Sequence, residues 1–224
     1  MKPLDLRKAD TTPAWCPGCG NFPILKAFDA ALAESGLNPD KTVLVSGIGQ
    51  AAKLPHYVTP PCNLFNGLHG RALPVATGIK CANHELEVIV TKIQTHGVMS
   101  MPFNPLALAI VEGCSLVART FAGDPEHLKA TLLEALRHTE GFVLVDILQP
   151  CVTFNKVNTY KWYKKRVQPV TAEHDPYDRM KALALSFQWG DSIPIGIIYR
   201  SGRPGFENRQ PMLQSGSTNA IFSP

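Results

Sequence analysis

The stretch Thr42-Val43-Leu44-Val45-Ser46-Gly47-Ile48-Gly49-Gln50 decides the fold. A short β-branched run with no polar alternation reads as a parallel strand buried on both faces, and its break into two glycines reads as a ligand loop at the strand's carboxyl end. Before it, Phe22, Leu25, Ala27, Phe28, Ala31 and Leu32 recur at helical spacing, with Asn21 as the expected cap, Pro23 in the first turn and Gly36 as the stop. After it, the turn residues between Tyr57 and Gly67 predict an irregular loop. Ala72, Val75, Ala76, Ile79 and Ala82 then predict a buried helix that runs out at Asn83-His84-Glu85, and Glu87 to Val90 is a second strand. Further on come a short helix over Pro105 to Glu112, a strand over Ser115 to Phe121 and a helix opened by Asp124-Pro125-Glu126. Phe142 to Leu148 is a long strand signal. Helices over Tyr160 to Val167 and Asp175 to Trp189 and a last strand at Ile195 to Tyr199 complete the pattern. Strands alternating with helices, with loops of ligand type after the strands, predict an α/β fold with a doubly wound, mostly parallel sheet whose site lies at the strands' carboxyl ends. One domain is expected over 1–202, and the Pro-, Gly-, Ser- and Asn-rich stretch 203–224 reads as an extended C-terminal tail.

Composition excludes several classes. The chain of 224 residues is 45% hydrophobic and 18% charged, and no apolar run approaches a membrane span. Met1 to Asp10 has no apolar signal core, so the expectation is a cytoplasmic protein, and its six cysteines are expected to be ligands or buried thiols, not disulfides. A net charge of +4 is too small, and stacking aromatics too sparse, for a nucleic-acid surface. Lys161, Lys164, Lys165 and Arg166 form the one basic cluster, read as a solvated helix face or a patch for an acidic protein.

Chemistry concentrates in Trp15-Cys16-Pro17-Gly18-Cys19-Gly20. Two residues between cysteines let both sulfurs face one tetrahedral centre, with Pro17 and Gly18 making the turn. The spacing alone fits a zinc half-site, a redox dithiol, an iron–sulfur half-site or two idle thiols. Its place at a helix N-terminus favours thiolates or the net negative charge of a thiolate-ligated cluster. Gly47 to Gln50, His69 and Cys151 fall in other loops or helix starts that would meet the cysteine loop at the same sheet edge. His69, at the start of its helix, fits either a phosphate-facing role or a plain cap.

Several segments in order carry a resemblance. Thr12-Pro13-Ala14-Trp15-Cys16-Pro17-Gly18-Cys19-Gly20, Ser46-Gly47-Ile48-Gly49, Leu68-His69-Gly70-Arg71-Ala72-Leu73-Pro74-Val75-Ala76-Thr77-Gly78-Ile79-Lys80, Asn104-Pro105-Leu106-Ala107-Leu108-Ala109 and Asp146-Ile147-Leu148-Gln149-Pro150-Cys151-Val152-Thr153-Phe154-Asn155 resemble the β subunit of the 2-oxoacid:ferredoxin oxidoreductases, the pyruvate and 2-oxoglutarate enzymes. The resemblance implies a thiamine-diphosphate-binding fold holding thiamine diphosphate, Mg2+ and one [4Fe-4S] cluster, and partnership with an α subunit and ferredoxin. It implies oxidative decarboxylation of a 2-oxoacid, with coenzyme A taking the acyl group and electrons leaving through the cluster. Cys16, Cys19 and Cys151 align with cluster ligands; Ile48, Gly49, Gln50, His69 and Gly70 would line the cofactor; Lys53 would meet the substrate carboxylate, with His69 beside it in the catalytic set. Lys53 and His56 together lean the substrate towards 2-oxoglutarate.

This chain departs from the family twice. Many relatives place a third cluster cysteine after the Gly-Ile-Gly turn, where Gln50 stands; Cys62 is favoured as the replacement over a three-cysteine cluster, leaving Cys81 and Cys114 as buried thiols. After Val90 the family carries a Gly-Asp-Gly run, a helix and a strand ending in Asp-Asn, which together hold magnesium; here the sequence passes straight to Thr91-Lys92. The expectation is an incomplete fold at the Val90/Thr91 junction with exposed sheet edges. The competing function is a non-catalytic, internally deleted relative, acting as a cluster-bearing or zinc-stabilised interaction subunit.

Overall fold

The computed structural model describes residues 12–59, 62–91, 104–205 and 207–209. Seven strands and seven helices alternate through them: α1 (Asn21–Ser35), β1 (Thr42–Ser46), α2 (Leu54–Tyr57), β2 (Asn63–Asn66), α3 (Ala72–Ala82), β3 (Glu87–Thr91), α4 (Pro105–Val111), β4 (Leu116–Phe121), α5 (Pro125–Arg137), β5 (Val143–Leu148), α6 (Tyr160–Lys164), β6 (Val167–Pro169), α7 (Arg179–Ser186) and β7 (Ile193–Arg200).

The expected α/β architecture is present, with its strands divided between two sheets. One sheet is wholly parallel in the order β2-β1-β3; the other runs β5-β4-β7-β6. Within the second, β4 pairs in parallel with β5 and antiparallel with β7, which itself lies parallel to β6. β1 and β4 are central and buried along their whole length, whereas β3 and β5 each pair on one side only and are half-buried throughout except at Leu148. Among the described strands β2, β3, β5 and β6 are therefore the outer strands of the two sheets, and exposed sheet edges are what the shortened sequence after Val90 implies. β3 itself continues unbroken through Val90 and Thr91, which pair with Val45 and Ser46 of β1. Residues 92–103, which follow, lie outside the described residues, as does most of the expected tail.

Helices cover both sides. On one face Ile24, Ala27, Phe28, Ala31 and Leu32 of α1 and Leu128 and Leu132 of α5 share a core with Leu44 of β1, and Ile89 of β3 and Val145 and Ile147 of β5 pack against it. This layer joins the two sheets without a main-chain hydrogen bond between them, and Lys129 of α5 pairs with Glu34 of α1 at its rim. On the other face α3 lies over Val43 and Val45, and α4 and α7 lie over Val117 and Ile198. The buried Arg119 of β4 donates Nε–H to Asp146 of β5 at 2.9 Å, with the Trp189 ring 5.6 Å from its guanidinium carbon.

Most sequence expectations hold, and the exceptions have causes. Asp124 caps α5 by accepting the His127 N–H at 3.1 Å, and Asn104 likewise caps α4. Asn21 does not cap α1; Gly20 holds that position and Asn21 is the buried first helical residue. The loop expected between Tyr57 and Gly67 contains β2, an exposed edge strand registered by main-chain pairing to β1 and therefore without an apolar alternation to betray it. Asp175-Pro176 makes a turn, and Asp178 caps α7 instead. The helix expected to Val167 stops at Lys164 because Val167 enters β6. In α3 only Ala72 and Ala76 are buried, and Cys81, expected inside, is exposed; Cys114 is buried as expected.

Because Leu128 is fully buried in the layer that joins the sheets, Leu128→Ala should cost about 2–5 kcal/mol. Urea denaturation followed by far-UV circular dichroism reads this as a lower midpoint with an unchanged slope.

Candidate functional site

Three loops at the carboxyl ends of the strands are tied together by specific contacts. The first carries Cys16-Pro17-Gly18-Cys19, closed by the Cys19 N–H bonding to the Cys16 carbonyl at 3.0 Å. Gly18 has φ of 75°, the left-handed value that a type II turn needs after proline. Just before it, the buried Trp15 stacks edge-on against Phe22 and Tyr57 at 5.3 and 5.0 Å and donates its indole N–H to the Gln50 carbonyl at 2.7 Å. The cysteine loop is thus fixed to the second loop, Gly47 to Gln50.

The second loop meets the segment before α3 by backbone approach. A Cβ on Gly47 would lie 3.5 Å from the Leu68 carbonyl oxygen and 3.9 Å from the Gly70 nitrogen, and the Gly67 N–H bonds to the Ser46 carbonyl at 2.8 Å. Gly49 and Gly70 have φ of 135° and 73°. His69 is exposed beside Gly70, two residues ahead of the helix, and the α3 cap position is Arg71 with no side-chain cap bond, so the capping role for His69 is not observed. Ile48 is exposed at 54% and Gln50 presents its side chain to solvent. Lys53 is half-buried at the end of a single 3-10 turn, and His56 is exposed and 3.2 Å from the Asn66 amide nitrogen.

The third loop follows β5. Its Gln149 side chain donates to Asn21 Oδ1 at 3.0 Å and to Cys19 Sγ at 3.7 Å, which brings the Cys151 loop against the first loop. Gly20 leaves the room for this: a Cβ there would stand 2.5 Å from Gln149 Cγ and 2.8 Å from the Tyr160 hydroxyl. Gln149, Asn21 and Tyr160 were not among the expected site residues. Gln149 was nonetheless marked by its position, directly before Pro150-Cys151 in the loop already singled out.

The thiols differ in surroundings. Cys16 and Cys151 are exposed, Cys19 is half-buried and Cys62 is buried in the apolar cluster that also contains Trp15, Leu54 and Val58. The Phe154 N–H points at Cys151 Sγ from 3.5 Å, and this backbone donor is the main cause holding the Cys151 thiol below its ordinary range. Cys114 is the opposite case, its thiol pushed up to about 11 by burial. Among the described residues no three His, Cys, Asp or Glu side chains converge closely enough to hold a single metal ion.

Comparison with known proteins shows the family. The chain is 37% identical over 249 positions to a 2-oxoacid:ferredoxin oxidoreductase subunit beta of Saccharolobus solfataricus, covering 84% of this chain and 81% of that one. The chain belongs to the family of 2-oxoacid:ferredoxin oxidoreductase β subunits. A family model for the C-terminal part of the pyruvate ferredoxin oxidoreductase β subunit matches residues 151–215 of this β subunit, starting at Cys151. A 2-oxoglutarate synthase subunit KorB of Archaeoglobus fulgidus is 29% identical over 82% of this chain and 80% of its own. In structure the β subunit is similar, with a TM-score of 0.81 and 27% identity over 96% of this chain and 94% of the other, to a 2-oxoglutarate:ferredoxin oxidoreductase from Magnetococcus marinus. That protein was solved with 2-oxoglutarate, coenzyme A and succinyl-CoA bound. The first match runs over 249 positions yet takes up 84% of 224 residues, about 188, so about 60 positions of it face no residue of this β subunit. Three further relatives of the same type show the same shortfall of about 60.

Three outcomes test the site as built. In the metal-free protein Cys151 should be alkylated by iodoacetamide near neutral pH while Cys114 stays unmodified until unfolding. Removing the donor by Phe154→Pro should raise the Cys151 thiol again, so that the midpoint of its rate against pH moves upward. Gly20→Ala should displace Gln149 and Tyr160 at a cost of about 1–3 kcal/mol, read as a lower urea midpoint.

Proposed function

We propose that this β subunit provides the cofactor cleft and electron-receiving side of the oxidative decarboxylation of a 2-oxoacid, with coenzyme A as acyl acceptor and ferredoxin as electron acceptor. Its α-subunit partner follows from its being a β subunit; 2-oxoglutarate is the favoured acid. The observation that carries the reading is the convergence of the three loops, through the Trp15–Gln50, Gly47–Gly70 and Gln149–Cys19 contacts, beside the carboxyl ends of β1 in one sheet and β5 in the other.

The donor set fits a [4Fe-4S] cluster. Cys16, Cys19 and Cys151 are thiols outside any disulfide, two of them exposed, and N–H donors already face the Cys19 and Cys151 sulfurs. Cys62 is the remaining cysteine on this side, and binding through it requires its sulfur to leave the apolar cluster. The cluster would supply one-electron acceptance, and the loops would hold it between the cofactor cleft and the surface. Gly47, Gly49 and Gly70 offer backbone with no side chain of their own, His69 offers an exposed imidazole, and Lys53 offers a cation for the substrate carboxylate. Thiamine diphosphate, when bound, supplies the electron sink for decarboxylation.

Magnesium does not fit these residues. It requires oxygen ligands, usually one or two carboxylates, and the chain has no Asp or Glu between Asp40 and Glu85, nor between Glu87 and Glu112. Asp124, after β4, is occupied in capping α5. The magnesium motif that the family resemblance implies after Val90 is absent from this sequence, and the relatives carry about 60 positions with no counterpart in it. That observation favours a second reading, a cluster-bearing subunit without turnover of its own. The two edges of β3 and β5 are where the lost structure would have paired.

The deciding experiment is the intact mass of the polypeptide isolated from its source, with iron, zinc, thiamine diphosphate and 2-oxoacid-dependent ferredoxin reduction measured on the complex with its α subunit. A mass above 24.4 kDa with bound thiamine diphosphate and turnover supports the catalytic reading. A mass of 24.4 kDa with a brown, dithionite-bleached chromophore but no turnover selects the second. A colourless zinc protein overturns both. In a brown protein Cys16→Ser should abolish the chromophore, Gln50→Cys should leave it, and a chromophore unchanged in Cys62→Ser excludes Cys62 as a ligand.

A further inference from the structure

The Gln149 side chain is held in a way that its place in a loop does not require. One N–H of its amide is 3.0 Å from Oδ1 of Asn21, which is 2% exposed, and the other donation reaches Cys19 Sγ at 3.7 Å. Its own Oε1 is buried and bonds nothing. An amide that leaves a buried acceptor unpaired gives up about 1–3 kcal/mol, so its orientation calls for a reason. Turning it over would set the oxygen against the Cys19 sulfur, a repulsion once that sulfur is a thiolate. Gly20 keeps the approach open, and the Tyr160 hydroxyl stands at the same point, 2.8 Å from where a Gly20 Cβ would be.

Resting on the cluster reading above, we propose that Gln149 is a positioning residue that tunes the cluster: anchored on Asn21, its amide donates to the Cys19 sulfur and raises the potential at which the cluster accepts an electron. Reduction adds negative charge that spreads onto the ligating sulfurs. A fixed N–H dipole aimed at one of them stabilises the reduced form more than the oxidised form. Asn21 is the first residue of α1, so the same contact also seats the helix N-terminus, and its positive dipole end, behind the cysteine loop.

The test is an EPR-monitored redox titration of the chain in its cluster-bearing form, in complex with its α subunit, for the parent, Gln149→Met and Gln149→Glu. Methionine keeps the length and removes the donor; glutamate keeps the shape and replaces a donor with an anion. The midpoint should move to more negative potential in both, further for glutamate, with iron per chain unchanged. Unchanged midpoints at full iron content overturn the proposal and leave Gln149 a structural clamp. A parent chain without iron overturns the cluster reading itself, which is a different result. Should the variants lose iron, the parent protein decides alone. With only glutamine side-chain amides labelled with 15N, pulsed EPR of the reduced cluster should show coupling to a labelled nitrogen, and its absence overturns the proposal.

Discussion

The two sheets share no main-chain hydrogen bond among the described residues, so the arrangement of the molecule depends on the apolar layer formed by α1 and α5. Ala31 and Leu128, both fully buried, lie at its centre, and residues of β1, β3 and β5 pack into it from both sheets. Packing of this kind depends on shape and is less directional than a strand ladder, yet here it must set the distance between the cysteine loop, at the start of α1, and the Cys151 loop, at the end of β5. The short polar contacts Trp15–Gln50 and Gln149–Asn21 refine what the layer sets roughly.

This dependence explains the glycine and aromatic content of the cysteine loop. Trp15 is both a core residue and a hydrogen-bond donor, so one side chain buries the loop's base and fixes it to the strand-end loop of β1. Gly18 serves a backbone angle, whereas Gly20, with ordinary φ, serves space: it admits Gln149 and Tyr160. The thiols in between are left at graded exposure, from the open Cys16 and Cys151 to the enclosed Cys62. Cys16 and Cys151 are open to solvent, whereas Cys62 is enclosed by the apolar cluster around Trp15.

The unpaired edges of β3 and β5 go with a shortfall in chain length. Relatives carry about 60 positions that this chain lacks. A strand removed from the middle of a parallel sheet leaves two edges. Edges such as Glu87-Val-Ile-Val-Thr91 invite pairing with another strand.

Local chemistry was legible from the sequence alone: β1 and its glycine turn, the type II turn at Pro17-Gly18, the Asp124 cap and the buried Cys114 all follow from short-range rules, and the family followed from ordered motifs. The sequence also shows that no Asp or Glu lies between Asp40 and Glu85 or between Glu87 and Glu112. Tertiary structure decided what depends on distant partners. β2 and β6 carry no apolar period and exist only because a neighbour pairs with them. Asn21 lost its expected cap role because its side chain receives Gln149, 128 residues away. Cys81 proved exposed since α3 packs against the sheet through Ala72, Val75, Ala76 and Ile79, and Cys81 falls outside that face. Local sequence fixes the backbone preferences and the periodicity of a segment. Which side chain meets which across the fold is set by how the layers pack, and that no single segment encodes.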